Sequence, residues 1–208
     1  MSEPLPSPPL ILVPEERPHW SRRDFIKSVI ATGSTVSGLS YFGAGAATAQ
    51  VAGTERLLTL TVNGQVRRVD VLPNETLATT LRYKLGLTGT KLGCDRAECG
   101  ACTVLIGDTP IYACSTLTHR VRDRGILTVE GLESEDGVLH PVQQAFIDEL
   151  APQCGFCTPG QVMSAVALLR SNPSPSRDEA RVAMSGNLCR CGAYEHYLNG
   201  VMRAAQEV

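Results

Sequence analysis

Eight cysteines constrain this chain more than any other feature, and all of them lie between residues 94 and 191. They fall into two quartets. Cys94, Cys99 and Cys102 have the spacing C-x4-C-x2-C, and Cys114 follows after eleven intervening residues. Cys154 and Cys157 form a C-x2-C pair, and Cys189 and Cys191 a C-x-C pair further on. An even cysteine count invites disulfides, yet pairs this tightly spaced make poor disulfide frameworks. Two pairs of thiolates can also build a tetrahedral zinc site, and for the second quartet taken alone zinc stays open. Cys154-Gly155-Phe156-Cys157 lacks the preceding strand of a thioredoxin-like βαβ unit, and neither C-x2-C is followed by the His of a haem attachment site.

The opening spacing of the first quartet is that of plant-type [2Fe–2S] ferredoxins. Three thiolates must converge on one small cluster, so the backbone has to curl around it. Gly93 and Gly100 permit dihedrals and close approaches that a side chain would block. Backbone N–H groups in such a curl point inward and favour an anion. Residues 104–112 read as a hairpin with a Gly107-Asp108 turn, which returns the chain so that Cys114 can close the site. For the second quartet, Thr158-Pro159-Gly160 predicts a helix start with Thr158 as cap and Pro159 at the first position. That helix N-terminus favours negative charge beside it. Gly186 is expected to end a preceding helix, and Gly192 to loosen the turn after the C-x-C pair. Together the quartets predict two [2Fe–2S] clusters.

The remaining pattern is α+β. Residues 58–62 and 65–71 alternate around an Asn63-Gly64 turn. Residues 76–87 predict an amphipathic helix with Leu77, Leu81 and Leu85 on one stripe, and residues 126–130 a strand. This order is that of a β-grasp, plant-type ferredoxin-like domain. From His140 the period turns helical, with candidates over 142–150, 160–171, 178–184 and 194–206, a small four-helix bundle carrying the second quartet. Val162, Ala165, Val166 and Leu169 have helical spacing. The expected domains are 54–133 and 138–208. With 19 basic and 21 acidic residues mixed along the chain, there is no electrostatic case for nucleic acid. The four histidines lack metal-ligand spacing and read as surface or capping residues.

Residues 1–49 read as an address. A proline- and serine-rich stretch over 1–13 is expected to be disordered. Then Ser21-Arg22-Arg23-Asp24-Phe25-Ile26-Lys27 precedes a weakly apolar run to Ala47, and Ala47-Thr48-Ala49 offers small residues for a signal peptidase. A twin-arginine pair before such a run resembles a Tat signal. The glycines within the run favour cleavage after Ala49 over a membrane anchor, so no stable membrane insertion is expected afterwards. Tat export of an already folded protein suits a cofactor inserted before the oxidising periplasm is reached.

The motifs CDRAECGACTV (94–104), QCGFCTPG (153–160) and GNLCRCG (186–192) resemble the iron–sulfur subunit of the xanthine oxidase family of molybdenum hydroxylases. With its leader, the chain is most similar to the small subunit of periplasmic aldehyde oxidoreductases. The resemblance implies a large molybdopterin-binding partner next to the helical-domain cluster. It also implies onward transfer from the ferredoxin-like cluster toward FAD, often in a third subunit. In the family, the Gln before the first helical-domain cysteine contacts the pterin; here that is Gln153. The sequence has no G-x-G-x-x-G after a strand and no cluster that suggests a catalytic base. Substrate oxidation is therefore expected in the partner. Arg190, between two ligands, either raises the potential of its cluster or is solvated. Purine or N-heterocycle hydroxylation, a free-standing ferredoxin-like carrier and a zinc-stabilised module are the competing functions.

Overall fold

The computed structural model describes residues 21, 23–29, 56–121, 123–134 and 136–207. Residues 53–208 form one compact unit and residues 1–52 another. In the latter, residues 23–29 are helical, with the Ser21 hydroxyl accepting from Asp24 N–H and donating to its carboxylate. Phe25, Ile26 and Val29 are exposed on it. Arg22, the apolar run beyond Val29, the alanine motif and the stretch over 1–13 lie outside the described residues.

The larger unit begins with β1 (Arg56–Val62) and β2 (Gln65–Val71), an antiparallel hairpin. Asn63 and Gly64 both take positive φ, 51° and 74°, as a type I′ turn requires. Alternation places Leu60, Val62, Val69 and Val71 inside. β3 (Thr103–Ile106) and β4 (Thr109–Tyr112) make the second hairpin, through Gly107-Asp108 as expected. β5 (Gly125–Leu127) inserts between the hairpins, parallel to β1 and antiparallel to β3, giving the order β2-β1-β5-β3-β4. β5 is shorter than the expected strand over 126–130. Asn63 draws Thr128 away from the ladder by accepting its N–H at 2.9 Å, and a 3₁₀ turn (Val129–Gly131) follows.

The helix expected over 76–87 is also shorter. α1 (Leu77–Thr79) widens into a π-helical turn (Thr80–Lys84). The turn closes when Leu87 N–H reaches back to the Leu81 carbonyl at 2.8 Å across Gly86. Leu77 and Leu81 are buried as their stripe requires, whereas Leu85 is half-buried. Behind this turn, the buried Glu75 accepts from the Thr80 hydroxyl at 2.6 Å and pairs with Lys84 at 2.8 Å. Burial alone would raise its pKa, but the Lys84 and Thr80 contacts win and hold it low.

Four helices complete the unit: α2 (Pro141–Asp148), α3 (Thr158–Ser171), α4 (Arg177–Met184) and α5 (Tyr194–Ala204). His140 caps α2, its Nδ1 accepting from Val142 N–H at 3.2 Å while the Gln143 side chain accepts from His140 N–H. Ser176 and Glu179 form the same reciprocal box at α4. Val162, Ala165, Val166 and Leu169 are buried together as their spacing predicts, with Phe146 and Tyr197 meeting edge to face at 5.1 Å. β3 serves both halves. Its Val104 and Ile106 enter the core under α1, while Leu105 points the other way, into the helical core against α3.

Candidate metal centres

The first quartet sits where the chain between the π-turn and β3 wraps on itself. Asp95 and Ala97 take left-handed φ, 53° and 61°, and Gly100 does so at 69°. Non-glycine residues reach that region only when their surroundings impose it. The result is a ring of inward N–H groups. Ala97 N–H lies 3.3 Å from the Cys114 sulfur, and Glu98 and Cys99 N–H lie 3.3 and 3.4 Å from that of Cys94. The donors on Cys94, Glu98 first, pull its thiol down to about 7. Cys102 and Cys114 are buried at the end of the β3–β4 hairpin, and burial pushes the Cys102 thiol up to about 12. The hairpin thus does what its sequence predicted: it carries Cys114 back to the loop. Gly93 is tight for the expected reason, since a Cβ there would lie 2.9 Å from the Cys99 sulfur.

The second quartet is gathered from helix ends. Cys157 is the cap of α3, so the helix starts one residue earlier than expected and Thr158 is its first residue rather than its cap. The Thr158 hydroxyl is engaged elsewhere, 2.6 Å from that of Tyr197 on α5, and the Tyr197 oxygen lies 3.7 Å from the Cys157 sulfur. Cys189 and Cys191 come from the turn between α4 and α5. Cys189 N–H donates to the Tyr194 hydroxyl at 3.0 Å, and Gly192 takes φ of 77°, the loose turn expected there. Gly186 follows the C-cap Ser185 of α4. A Cβ there would stand 2.4 Å from the Tyr112 hydroxyl, which would have to move. Cys157 and Cys189 are buried; Cys154 and Cys191 are exposed. Burial pushes the Cys157 thiol up to about 11. Burial also opposes ionisation of Cys189, but the N–H groups around it, Ala193 first, outweigh that and lower its pKa.

None of the eight cysteines is in a disulfide. Within each quartet the thiols fall into pairs near enough to shift one another's ionisation: Cys94 with Cys99, Cys102 with Cys114, Cys154 with Cys191, and Cys157 with Cys189. Two pairs per quartet fit a two-iron, two-sulfide core, in which each iron takes two thiolates. Among the described residues, no three His, Cys, Asp or Glu side chains close on a single metal-ion position. A cleft of about 770 Å³ opens between the quartets, lined among others by Cys94, Cys99, Cys154, Cys157, Cys189 and Arg190. Arg190 and Gln153 are both exposed, and Gln153 stands beside the exposed Cys154. His196 accompanies no cysteine; its Nδ1 meets the Glu149 carbonyl at 2.9 Å.

Residues 60–126 match the 2Fe-2S iron-sulfur cluster binding domain, and residues 128–202 the [2Fe-2S] binding domain. The chain is 42% identical, over 94% of both chains, to the aldehyde oxidoreductase iron-sulfur-binding subunit PaoA of Escherichia coli K12. It belongs to the iron–sulfur small subunits of the xanthine oxidase family. This small subunit is also 48% identical to the nicotine 6-hydroxylase small subunit of Paenarthrobacter nicotinovorans, over 71% of this chain and 88% of that one. Among solved structures it is similar to quinoline 2-oxidoreductase from Pseudomonas putida 86, with a TM-score of 0.71 and 42% identity over 74% of this chain and 95% of that one. It is equally similar to aldehyde oxidoreductase from Desulfovibrio desulfuricans, with a TM-score of 0.70 and 43% identity over 73% of this chain but only 17% of that longer one. The small subunit is therefore the electron-transfer component of a molybdenum-dependent oxidoreductase complex, its fold a ferredoxin-like domain followed by a helical [2Fe–2S] domain.

Proposed function

We propose that this small subunit serves a periplasmic molybdenum-dependent aldehyde oxidoreductase. Cys94, Cys99, Cys102 and Cys114 would hold one [2Fe–2S] cluster, and Cys154, Cys157, Cys189 and Cys191 the other. The pairing of thiols within each quartet, on either side of one cleft, is the observation that carries this reading. When bound, such clusters supply one-electron redox chemistry whose potential follows charge, hydrogen bonds to sulfur and burial. The chain's own part is to hold thiolates, donate N–H groups to them and keep the inner sulfurs from water. Exposed Cys154 and Cys191, with Gln153 beside them, form the end that faces the pterin of a large molybdopterin-binding subunit. The ferredoxin-like end passes electrons toward FAD in a further subunit. Residues 54–133 and 138–208 are the two cluster domains, and residues 1–49 the Tat signal.

The aldehyde assignment is supported by the 94% coverage of the E. coli subunit, which reaches into the residues before β1. The N-heterocycle relatives are more identical over a shorter stretch, 48% for the nicotine enzyme, and that favours N-heterocycle oxidation as a second reading. The exposed Arg23, Phe25 and Ile26 suit a signal read by an export receptor. Among the described residues no helix is long and apolar enough to cross a membrane. Replacing Arg22 and Arg23 by Lys should strand the whole preassembled complex in the cytoplasm. The complex purified from the periplasm should oxidise aromatic or aliphatic aldehydes in preference to nicotinate, quinoline and xanthine. Periplasmic activity in the double-Lys variant would sink the export reading, and a preference for the heterocycles would replace the aldehyde reading with the second one.

A further inference from the structure

The buried cysteines of the two quartets, Cys102 and Cys114 in one and Cys157 and Cys189 in the other, belong to separate hydrophobic cores, yet the loops touch at one seam. Leu188 N–H donates to the Cys99 carbonyl at 2.9 Å. Because Leu188 directly precedes Cys189, this one bond joins a cysteine of the first quartet to a cysteine of the second. The seam around it leaves no room for adjustment. Gly160 in the first turn of α3 packs on the first loop so closely that a Cβ would lie 2.2 Å from the Gly100 carbonyl oxygen and 3.0 Å from Ala101 Cα. A Cβ on Gly100 would lie 2.4 Å from the Gly186 carbonyl oxygen. That oxygen accepts from the Tyr112 hydroxyl at 3.0 Å.

Asn187 is buried at the centre of this contact, only 3% exposed. Its Nδ2 donates to the Gly100 carbonyl at 3.0 Å, and its Oδ1 accepts from the Ser164 hydroxyl at 2.7 Å. Its own carbonyl accepts from Gln161 Nε2 at 3.2 Å. One side chain thus ties the loop of the first quartet to α3 and to the turn of the second. An amide suits the place because it donates and accepts without adding charge between two anionic sites. Joining two domains would not require backbone-to-backbone contact beside both sets of cysteines; side chains could do it. What the contact adds is a short link of backbone and one hydrogen bond between them.

We propose that Asn187 is a positioning residue that holds the Cys99 carbonyl–Leu188 N–H bond as the electronic bridge between the two quartets. This rests on the proposed ligation by the eight cysteines. With a [2Fe–2S] cluster held in each quartet, one electron would pass from one cluster to the other, with no bond broken and no proton moved. The molybdenum centre of the partner subunit would be the reductant.

The test uses the whole complex. Gly160→Ala wedges the seam without altering a cysteine or a charge, and Asn187→Leu removes the side-chain hydrogen bonds of Asn187 while keeping its branched shape and heavy-atom count. In each variant iron and sulfide content and both EPR signals should persist. Electron transfer between the two clusters should slow roughly tenfold, and the Leu188 amide should exchange roughly tenfold faster, as loss of one protected hydrogen bond implies. Faster Leu188 exchange with an unchanged intercluster rate in both variants would overturn the bridge. Wild-type complex lacking iron at one quartet would remove the ligation reading, and the bridge with it, before any variant is compared.

Discussion

The two quartets reach the same grouping of thiols by opposite routes. The first is local: three of its cysteines lie within one loop, and a single hairpin returns the fourth. Its thiols are met by loop N–H groups aimed inward by left-handed Asp95 and Ala97. The second is assembled from the start of α3 and the turn between α4 and α5, and its positions depend on how the helices pack. Its sulfurs draw on a side chain as well as on N–H groups, with Tyr197 beside Cys157 and Ala193 N–H beside Cys189. Two of its cysteines stay exposed, whereas the first quartet leaves none fully open. A loop can define a site by backbone geometry; a bundle must define it by tertiary contacts, and leaves one side open to a neighbour.

The difference predicts unequal damage. Cys102→Ser and Cys189→Ser should each remove about half of the iron, but Cys189→Ser should cost more structure. It releases the ends of α3 and α5, which the second quartet ties across a longer span of chain than the first. Far-UV circular dichroism and thermal midpoints of the two variants check this, and equal losses would break the contrast. Next in size is Phe146→Ala. Phe146 is fully buried against Tyr197, and its truncation should cost about 3–5 kcal/mol in the helical half. Urea unfolding should show that half melting first, with the visible signal of the first quartet retained. Smallest is Tyr197→Phe. Losing the hydroxyl beside the Cys157 sulfur should lower the potential of the second cluster by roughly 20–60 mV, the equivalent of one hydrogen bond. The first cluster should not move, and an EPR-monitored redox titration resolves the two.

The contrast also explains what the sequence made legible. Loop spacing, the Asn63-Gly64 turn and the helical periods are short-range features, and they predicted the first quartet, both hairpins and all four helices within about two residues. The misplaced cap of α3 was not local: Thr158 turns to Tyr197, 39 residues away. β5 was overextended because Asn63, 65 residues distant, claims Thr128. The seam of Gly100, Gly160 and Asn187 joins residues up to 87 apart. The sequence displayed those residues within its cysteine motifs but gave no sign that they meet each other. Gly100 in particular reads as a turn glycine, and only the packed structure shows that Asn187 also fills the space a side chain would need.

The central claim is that both quartets hold [2Fe–2S] clusters, and it is tested most directly by iron, sulfide and zinc content with EPR after dithionite reduction, on complex purified anaerobically. About four irons and four sulfides per small subunit and two distinct spin-half signals are expected. Stoichiometric zinc at either quartet, with one signal or none, would contradict it.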